Sequence, residues 1–332
     1  MARLRRVNAS QPGYTRKRSG KGFTYLDERG ERLTGLEVER VKALVIPPAW
    51  EDVWICRYGD GHLQAVGTDE AGRRQYLYHE EWTERRGKAK FRRVLDVAER
   101  MPTARRRVRH DLDQDGMPLE RACATAFRLI DLGCFRVGGS ASGEENGTYG
   151  LTTLERRHVH QRGDTMLFAF VGKSGVEHAI EVTDNDVLAA LGTMRRRHGG
   201  KRLLAYRDGT TWRNLEAADV NEYLAGLFDG EFTAKDFRTW HATVRAACSL
   251  ALTEEAGVSE ASKKRAIREA AVTVADYLGN TPTVARSSYI DPRVIARYRE
   301  GKTIDPKDAV GVGDGGRGQA RAERAVRELL ER

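Results

Sequence analysis

The chain has 332 residues, enough for two domains with buried cores, and 57 Lys plus Arg against 48 Asp plus Glu leave a formal net charge of +9. Its four cysteines lie far apart with no CxxC pair, which argues against a zinc ribbon or a disulfide framework. No apolar h-region follows the basic start and no apolar run reaches about 18 residues, so neither a leader nor a membrane span is expected, and a reducing cytoplasm is the default location.

The distribution of charge says more than its sum. Residues 1–22 carry Arg3, Arg5, Arg6, Arg16, Lys17, Arg18 and Lys21 with no acid, and RRGKAKFRR (85–93), ARRRVRH (104–110) and RRRHGGKR (195–202) repeat the theme. One such run is an ordinary solvated face. Four of them suit an extended surface for phosphates, with nucleic acid the expected partner.

In chain order, the first 80 or so residues alternate as strands do. KGFTYLD (21–27) and ERLTG (31–35) suggest a hairpin turning at 28–31. EDVWICRY (51–58) and HLQAVGTD (62–69) suggest another across Gly59-Asp60-Gly61, and RRQYLYH (73–79) follows the turn at Ala71-Gly72. From about residue 80 the period becomes helical. Phe91, Val94, Leu95 and Ala98 mark a helix that Pro102 is expected to end, and Leu119, Cys123, Ala126, Phe127 and Ile130 mark a second, stopped by Gly133. Further helices are expected over 184–196, 215–227, 235–255, 259–278 and 292–300. The pattern is that of an α+β protein: a small antiparallel sheet domain at 1–85, a mainly helical domain at 86–308, and a tail at 309–332 in which VGVGDGGRGQ is a flexible linker before a short charged helix from Ala320.

The stretch FAFVGKSGVEH (168–178) interrupts the helical region and ends in Gly-Lys-Ser, as a nucleotide-binding P-loop does. The first glycine of that pattern would fall at Leu167, and the residues after Lys173 alternate as a strand where the P-loop needs a helix. Lys173 is therefore expected at or near the tip of a β-hairpin, a nucleotide site is not expected there, and the lysine calls for another explanation.

Several other groups suit a phosphodiester. Arg136 follows a helix end in CFRVGG (134–139), and KDFRTWHA (235–242) places Lys235, Arg238 and His241 at spacings of three on one helix face. GNTPTVARSSYIDP (279–292) carries Asn280 and Tyr289. Paired arginines suit the charge of a pentavalent phosphoryl transition state, a tyrosine can attack phosphorus if helped to lose its proton, and a lysine can protonate a leaving oxygen. Singly, each residue also has a plainer reading: Tyr289 as packing, Arg136 and Arg238 as ion-pair partners, Asn280 as a turn residue, and His241 as a group packed within its helix.

Taken in order, FRVGG, FVGK, KDFRTWHA, GNTP and SSYI closely resemble the catalytic core of type IB DNA topoisomerases, in the small form of poxviruses and some bacteria. The resemblance runs from about residue 20 to 305. It implies a clamp-like α+β fold on double-stranded DNA, related to that of tyrosine recombinases, and a nucleoid-associated monomer. It assigns catalysis to Arg136, Lys173, Arg238, Asn280 and Tyr289, with Lys235 assisting. Asn280 stands where poxviral members commonly have histidine, and keeps a donor without the charge. TDEAGRRQYLYHEEW (68–82) resembles the family segment that enters the major groove, so Arg73, Arg74, Gln75, Tyr76 and Tyr78 are expected at DNA, with His241 also counted among the DNA contacts. NGTYGLTTLERRHV (146–159) matches as well. The resemblance implies neither ATP nor a metal, and no other cofactor.

One departure concerns target reading: where poxviral members carry basic and aromatic groups, this chain has Gly139-Ser140-Ala141-Ser142-Gly143, so tight site specificity of that kind is not expected. The alternatives are a tyrosine recombinase and a DNA-binding clamp without chemistry. A recombinase would carry histidine at the places of Lys235 and Asn280, and a bare clamp would not need all five catalytic groups.

Overall fold

The computed structural model describes residues 3–133, 135–139, 147–230, 232–253, 259–313 and 316–331. The expectations placed on Cys134, Ser140 to Gly143 and Asn146 lie outside those residues. The chain forms two compact units, Met1–Phe91 and Arg92–Arg332.

In the first unit, strands β1 (Tyr14–Ser19), β2 (Gly22–Leu26), β3 (Glu51–Ile55), β4 (Leu63–Thr68) and β5 (Arg74–Tyr78) form an antiparallel sheet in the order β2-β1-β3-β4-β5. Alternation sorts its side chains. Ile55, Ala65 and Leu77 are cross-strand neighbours that pack with Val41 of helix α1 (Gly35–Ala43), whereas Trp54, Val66 and Tyr76 form the next row on the opposite face. Val7, from the segment before the sheet, packs with Val66 on that second face.

The first hairpin differs from the expectation. β2 pairs with the basic strand β1 across Gly20 and Lys21, and ERLTG contributes only an isolated bridge, Leu26 to Arg32. The alternation in YTRKRS is hidden by its charges, which an edge region of the sheet can leave in solvent. Gly20, at φ +57°, supplies the left-handed residue that so short a loop needs.

Helix α2 (Glu80–Leu112) continues past Pro102. Proline removes one backbone hydrogen bond. Here the ring is exposed, and Met101, Ala104, Val108 and Leu112 bury the opposite side, so packing carries the helix past the defect. The boundary between the two units falls inside this helix, six residues beyond the expected one.

The second unit is built around α3 (Leu119–Gly133), whose Phe127, Leu129 and Ile130 are fully buried. A three-stranded antiparallel sheet, β6 (Val159–Arg162), β7 (Thr165–Val171) and β8 (Glu177–Val182), packs beside it. Around them lie α4 (Asn185–Arg196), the hairpin β9 (Ala205–Asp208) and β10 (Thr211–Asn214), α5 (Ala217–Phe228), α6 (Ala234–Ala251), α7 (Glu260–Leu278), α8 (Pro282–Ser288), α9 (Pro292–Arg299) and α10 (Arg317–Glu331). Asp184, Ser259, Thr281 and Asp291 cap four of these helices with side-chain oxygens on backbone N–H groups. Helices α1 and α8 and the β9–β10 hairpin were not expected; each is short, with too few apolar positions to show a period.

The tail is also corrected. Helix α10 starts at Arg317 and belongs to the second unit, with Ala322, Val326, Leu329 and Leu330 buried in its core. Arg105 ties it in, donating to Asp131 at 2.8 Å and to Glu323 at 2.7 Å. Burial pushes the Asp131 carboxyl up, yet the charge of Arg105 and a hydrogen bond from His241 outweigh it and hold the carboxyl far below the usual range.

Candidate active site

The first piece of the site is hung on α3. Just past the helix, Phe135 is buried edge-on against Phe168, with ring centroids 5.1 Å apart, which anchors the neighbouring Arg136. The backbone of residues 136–138 is then locked to that of 150–152: Leu151 N–H donates to Arg136 O at 2.8 Å and Thr152 N–H to Val137 O at 2.9 Å. Gly138 and Gly150 face each other so closely that a Cβ on Gly150 would stand 2.4 Å from Gly138 Cα. Two glycines let these segments touch.

Lys173 lies in the turn between β7 and β8, closed by Gly172 N–H donating to Val176 O at 2.7 Å. Ser174 and Gly175 both have positive φ, and Lys173 is exposed. The hairpin reading of GKSG therefore matches the observed turn.

Lys235 and Arg238 come from the first turns of α6. The Asp236 carboxylate caps that helix, accepting from Thr233 N–H at 3.1 Å, and pairs with Arg93 at 2.6 Å. Lys235 is exposed at a helix N-terminus, where the dipole disfavours a cation, so its position serves something other than helix stability. Arg238 is only 4% exposed and donates to the carbonyl of Leu278 at 2.7 Å. That carbonyl ends α7. Gly279 follows in the left-handed conformation, at φ +61°, and Asn280 N–H returns to Ala275 O at 2.9 Å, which fixes the asparagine. Asn280 Nδ2 is buried and has no acceptor among the described residues.

Tyr289 closes α8, its N–H bonded to Ala285 O at 3.0 Å and its carbonyl 3.3 Å from Thr243 Oγ1 of α6. Its ring is half-buried. Arg136, Lys173, Lys235, Arg238, Asn280 and Tyr289 line one cleft of about 640 Å³. Burial pushes the Tyr289 phenol up, but the charge and hydrogen bond of Arg238, with the charges of Arg136 and Lys235, outweigh it and hold the group below its ordinary value. Burial, and then Arg238 beside it, lower Arg136 in turn, while Tyr289 raises it. The cleft is thus a concentrated cationic pocket with a tyrosine in it, chemistry suited to a phosphodiester.

His241 differs from its expected DNA contact. It is 4% exposed, 3.2 Å from Asp131 by Nε2 and 3.4 Å from Gln319 by Nδ1. The residue after each turn of a helix drifts around its axis, and three positions beyond Arg238 the face has turned toward α3 and α10.

In the first unit, Tyr76 and Tyr78 are 51% and 38% exposed, their rings stacked at 6.2 Å. Gln75 donates to Asp69 at 2.8 Å, Arg73 pairs with the same carboxylate at 2.9 Å, and Arg74 is exposed. Residues that the sequence did not single out include Phe135, Thr243 and His178. Phe135 and Thr243 anchor the backbone of two candidate catalytic groups; Phe135 stands in the FRVGG motif with no role assigned to it, and Thr243 lies just beyond KDFRTWHA.

Comparison with known proteins identifies the family. Residues 79–305 match the family described as the catalytic core of eukaryotic DNA topoisomerase I, and residues 22–69 match the N-terminal domain of bacterial DNA topoisomerase IB. The chain is 28% identical to DNA topoisomerase 1B of Acanthamoeba polyphaga mimivirus over 311 residues, which span 89% of this chain and 92% of the viral one. It is 22% identical to DNA topoisomerase 1B of vaccinia virus (strain Copenhagen) over 248 residues, 72% of this chain and 74% of that one. Against DNA topoisomerase 1 of Schizosaccharomyces pombe it is 29% identical over 156 residues, 46% of this chain and 18% of the yeast protein. With the family match covering most of its length, the chain belongs to the type IB DNA topoisomerases, a family of isomerases.

Proposed function

We propose that this protein relaxes supercoiled double-stranded DNA by cutting and resealing one strand through a 3′-phosphotyrosyl intermediate. The observation that carries this reading is the Tyr289 phenol held below its ordinary pKa by Arg238, Arg136 and Lys235 in a cleft that also presents Lys173 and Asn280.

In the first step the Tyr289 oxygen attacks the scissile phosphorus. The phenol gives up its proton to solvent, the new phenolic O–P bond replaces the P–O5′ bond, and the 5′-oxygen leaves as a hydroxyl after taking a proton from Lys173. Arg136 and Arg238 bind the non-bridging oxygens as charge builds there, and Asn280 Nδ2, lacking an acceptor among the described residues, offers a further donor. Lys235, at the open end of α6, adds charge beside the same phosphate. Rotation of the free 5′ end removes superhelical turns. The hydroxyl then attacks the phosphotyrosyl phosphorus, returning its proton to Lys173, and the phenolate leaves, restoring the strand and, once it regains a proton from solvent, the tyrosine. The ester keeps the energy of the broken bond, so this cycle draws on neither ATP nor a metal ion. Gln75, Tyr76, Tyr78, Arg73 and Arg74 form the DNA-contacting edge of the first unit in this reading, supported by the exposure of the two tyrosines.

The decisive experiment is relaxation of a negatively supercoiled plasmid in EDTA without nucleotide, comparing the protein with Tyr289→Phe. Relaxation and covalent capture of DNA are expected for the former and neither for the latter. A Tyr289→Phe protein that still relaxed DNA would remove the nucleophile from this scheme.

A further inference from the structure

Resting on that reading, we propose that His178 is a positioning residue for the reaction: its imidazole is the spacer that sets the Lys173 turn against the Gly279-Asn280 end of α7. His178 is on β8, directly opposite Phe170 of β7, and its ring stacks on that phenylalanine with centroids 5.1 Å apart at 25°. One edge of the ring faces Gly172, where an added Cβ would come within 2.6 Å of Cδ2 and 2.7 Å of Nε2. The other edge faces Gly279, where an added Cβ would come within 2.7 Å of Cε1. Both glycines leave room for this one ring.

Each neighbour carries a different part of the site. Gly172 begins the turn that presents Lys173. Gly279 separates the Leu278 carbonyl that Arg238 grips from Asn280. Lys173 itself is exposed, and the turn that carries it is short and rich in positive φ, so the contact beneath Gly172 is what ties its base to the helix end. A shift of about 1 Å in a proton donor is enough to slow a reaction by roughly 100-fold. The ring also lies near Arg136 and Arg238: burial first, then those two charges, hold it below its ordinary pKa, so it fills the space without adding a cation.

The test uses single-turnover cleavage by the full chain on two duplexes, one with the ordinary 5′-oxygen at the scissile bond and one with a 5′-sulfur, whose thiolate leaves without a proton. His178→Ala is expected to slow cleavage of the ordinary strand by roughly 10- to 100-fold and the sulfur strand little, because the defect runs through Lys173. Gly172→Ala approaches the same contact from the other side. Its φ of −96° and ψ of −169° suit alanine, so its cost is the collision with His178. It too is expected to slow the ordinary strand, and the double variant to be no slower than His178→Ala alone, because removing the ring removes the collision. Equal slowing of both strands by His178→Ala, no slowing at all, or two defects that simply multiply would each overturn the positioning role. If the unaltered protein cleaves neither strand, the topoisomerase reading fails and takes this proposal with it. Because Gly172→Ala retains the histidine, it reads the contact even where His178→Ala does not fold.

Discussion

The guanidinium carbon of Arg238 lies 5.4 Å from the centre of the Tyr289 ring while one of its nitrogens holds the Leu278 carbonyl at 2.7 Å. One side chain thus joins the nucleophile of the proposed reaction to the helix end that carries Asn280.

Because Arg238 lowers the phenol of Tyr289, its removal has a predictable sign. A lowered pKa means more phenolate at a given alkaline pH. In Arg238→Ala the opposing effect of burial remains, so the group moves back up toward or past 10. The tyrosinate absorbance that disappears in Tyr289→Phe is expected to titrate below 10 in the parent and at higher pH in Arg238→Ala. Cleavage is expected to fall by about 10²- to 10³-fold, the usual cost of one transition-state donor. Unchanged titration in Arg238→Ala would break the electrostatic account.

Lys173→Ala is expected to slow cleavage of ordinary DNA by about 10²- to 10⁴-fold, the range for a lost general acid. With a 5′-thiolate leaving group most of the rate is expected to return. Absence of that rescue would move the proton donor elsewhere, with Lys235 the next residue to test.

The exposed pair Tyr76 and Tyr78 offers a separate check on the first unit. Neither ring is buried in its core, so Tyr76→Ala and Tyr78→Ala are expected to leave thermal stability nearly unchanged and to weaken duplex binding, measured by fluorescence anisotropy at fixed salt. Undiminished binding in both would remove β5 from the DNA surface.

Arg105 joins Asp131 and Glu323, both almost wholly buried. Arg105→Ala is expected to lower unfolding free energy by about 3–5 kcal/mol in a urea titration at neutral pH, since buried Glu323 would lose its cation and buried Asp131 would keep only Arg128. The pH dependence follows from the depressed Asp131 carboxyl. Its contribution is complete above the unfolded value near 4, and is lost as pH falls through the lower folded value. In Arg105→Ala the folded value rises toward the unfolded one, so Asp131 is expected to contribute a smaller acid loss of stability, complete at a higher pH than in the parent. An unchanged urea midpoint would show that the network carries little stability.

Much of the architecture was legible in the residues because burial imposed a period. Strands β3 to β5 alternate and helices α3 to α7 carry apolar stripes, whereas α8 is seven residues long and has only Ala285 buried. The errors share a physical origin. Charge concealed the alternation of β1, and Pro102 looked like a stop because its exposure was invisible. In α10, Glu323 and Gln319 read as solvent-facing although both are buried against Arg105 and His241. The side chains of the proposed reaction stood out through short ordered motifs, and the structure brings them to one cleft. His178 did not, since its surroundings come from two glycines more than a hundred positions apart in the chain. Spacing along a chain cannot express a gap left for one ring.

The Gly138–Gly150 crossing bears on how such a protein can change over generations. Two backbone hydrogen bonds close the neck through which the chain leaves Arg136 and returns at Leu151. Lengthening a segment closed at its neck costs only about 0.6 kcal/mol for each doubling. A change of length between the two glycines is therefore expected to cost little while Arg136 stays in register. The two glycines are the positions where a single methyl group would force that neck apart.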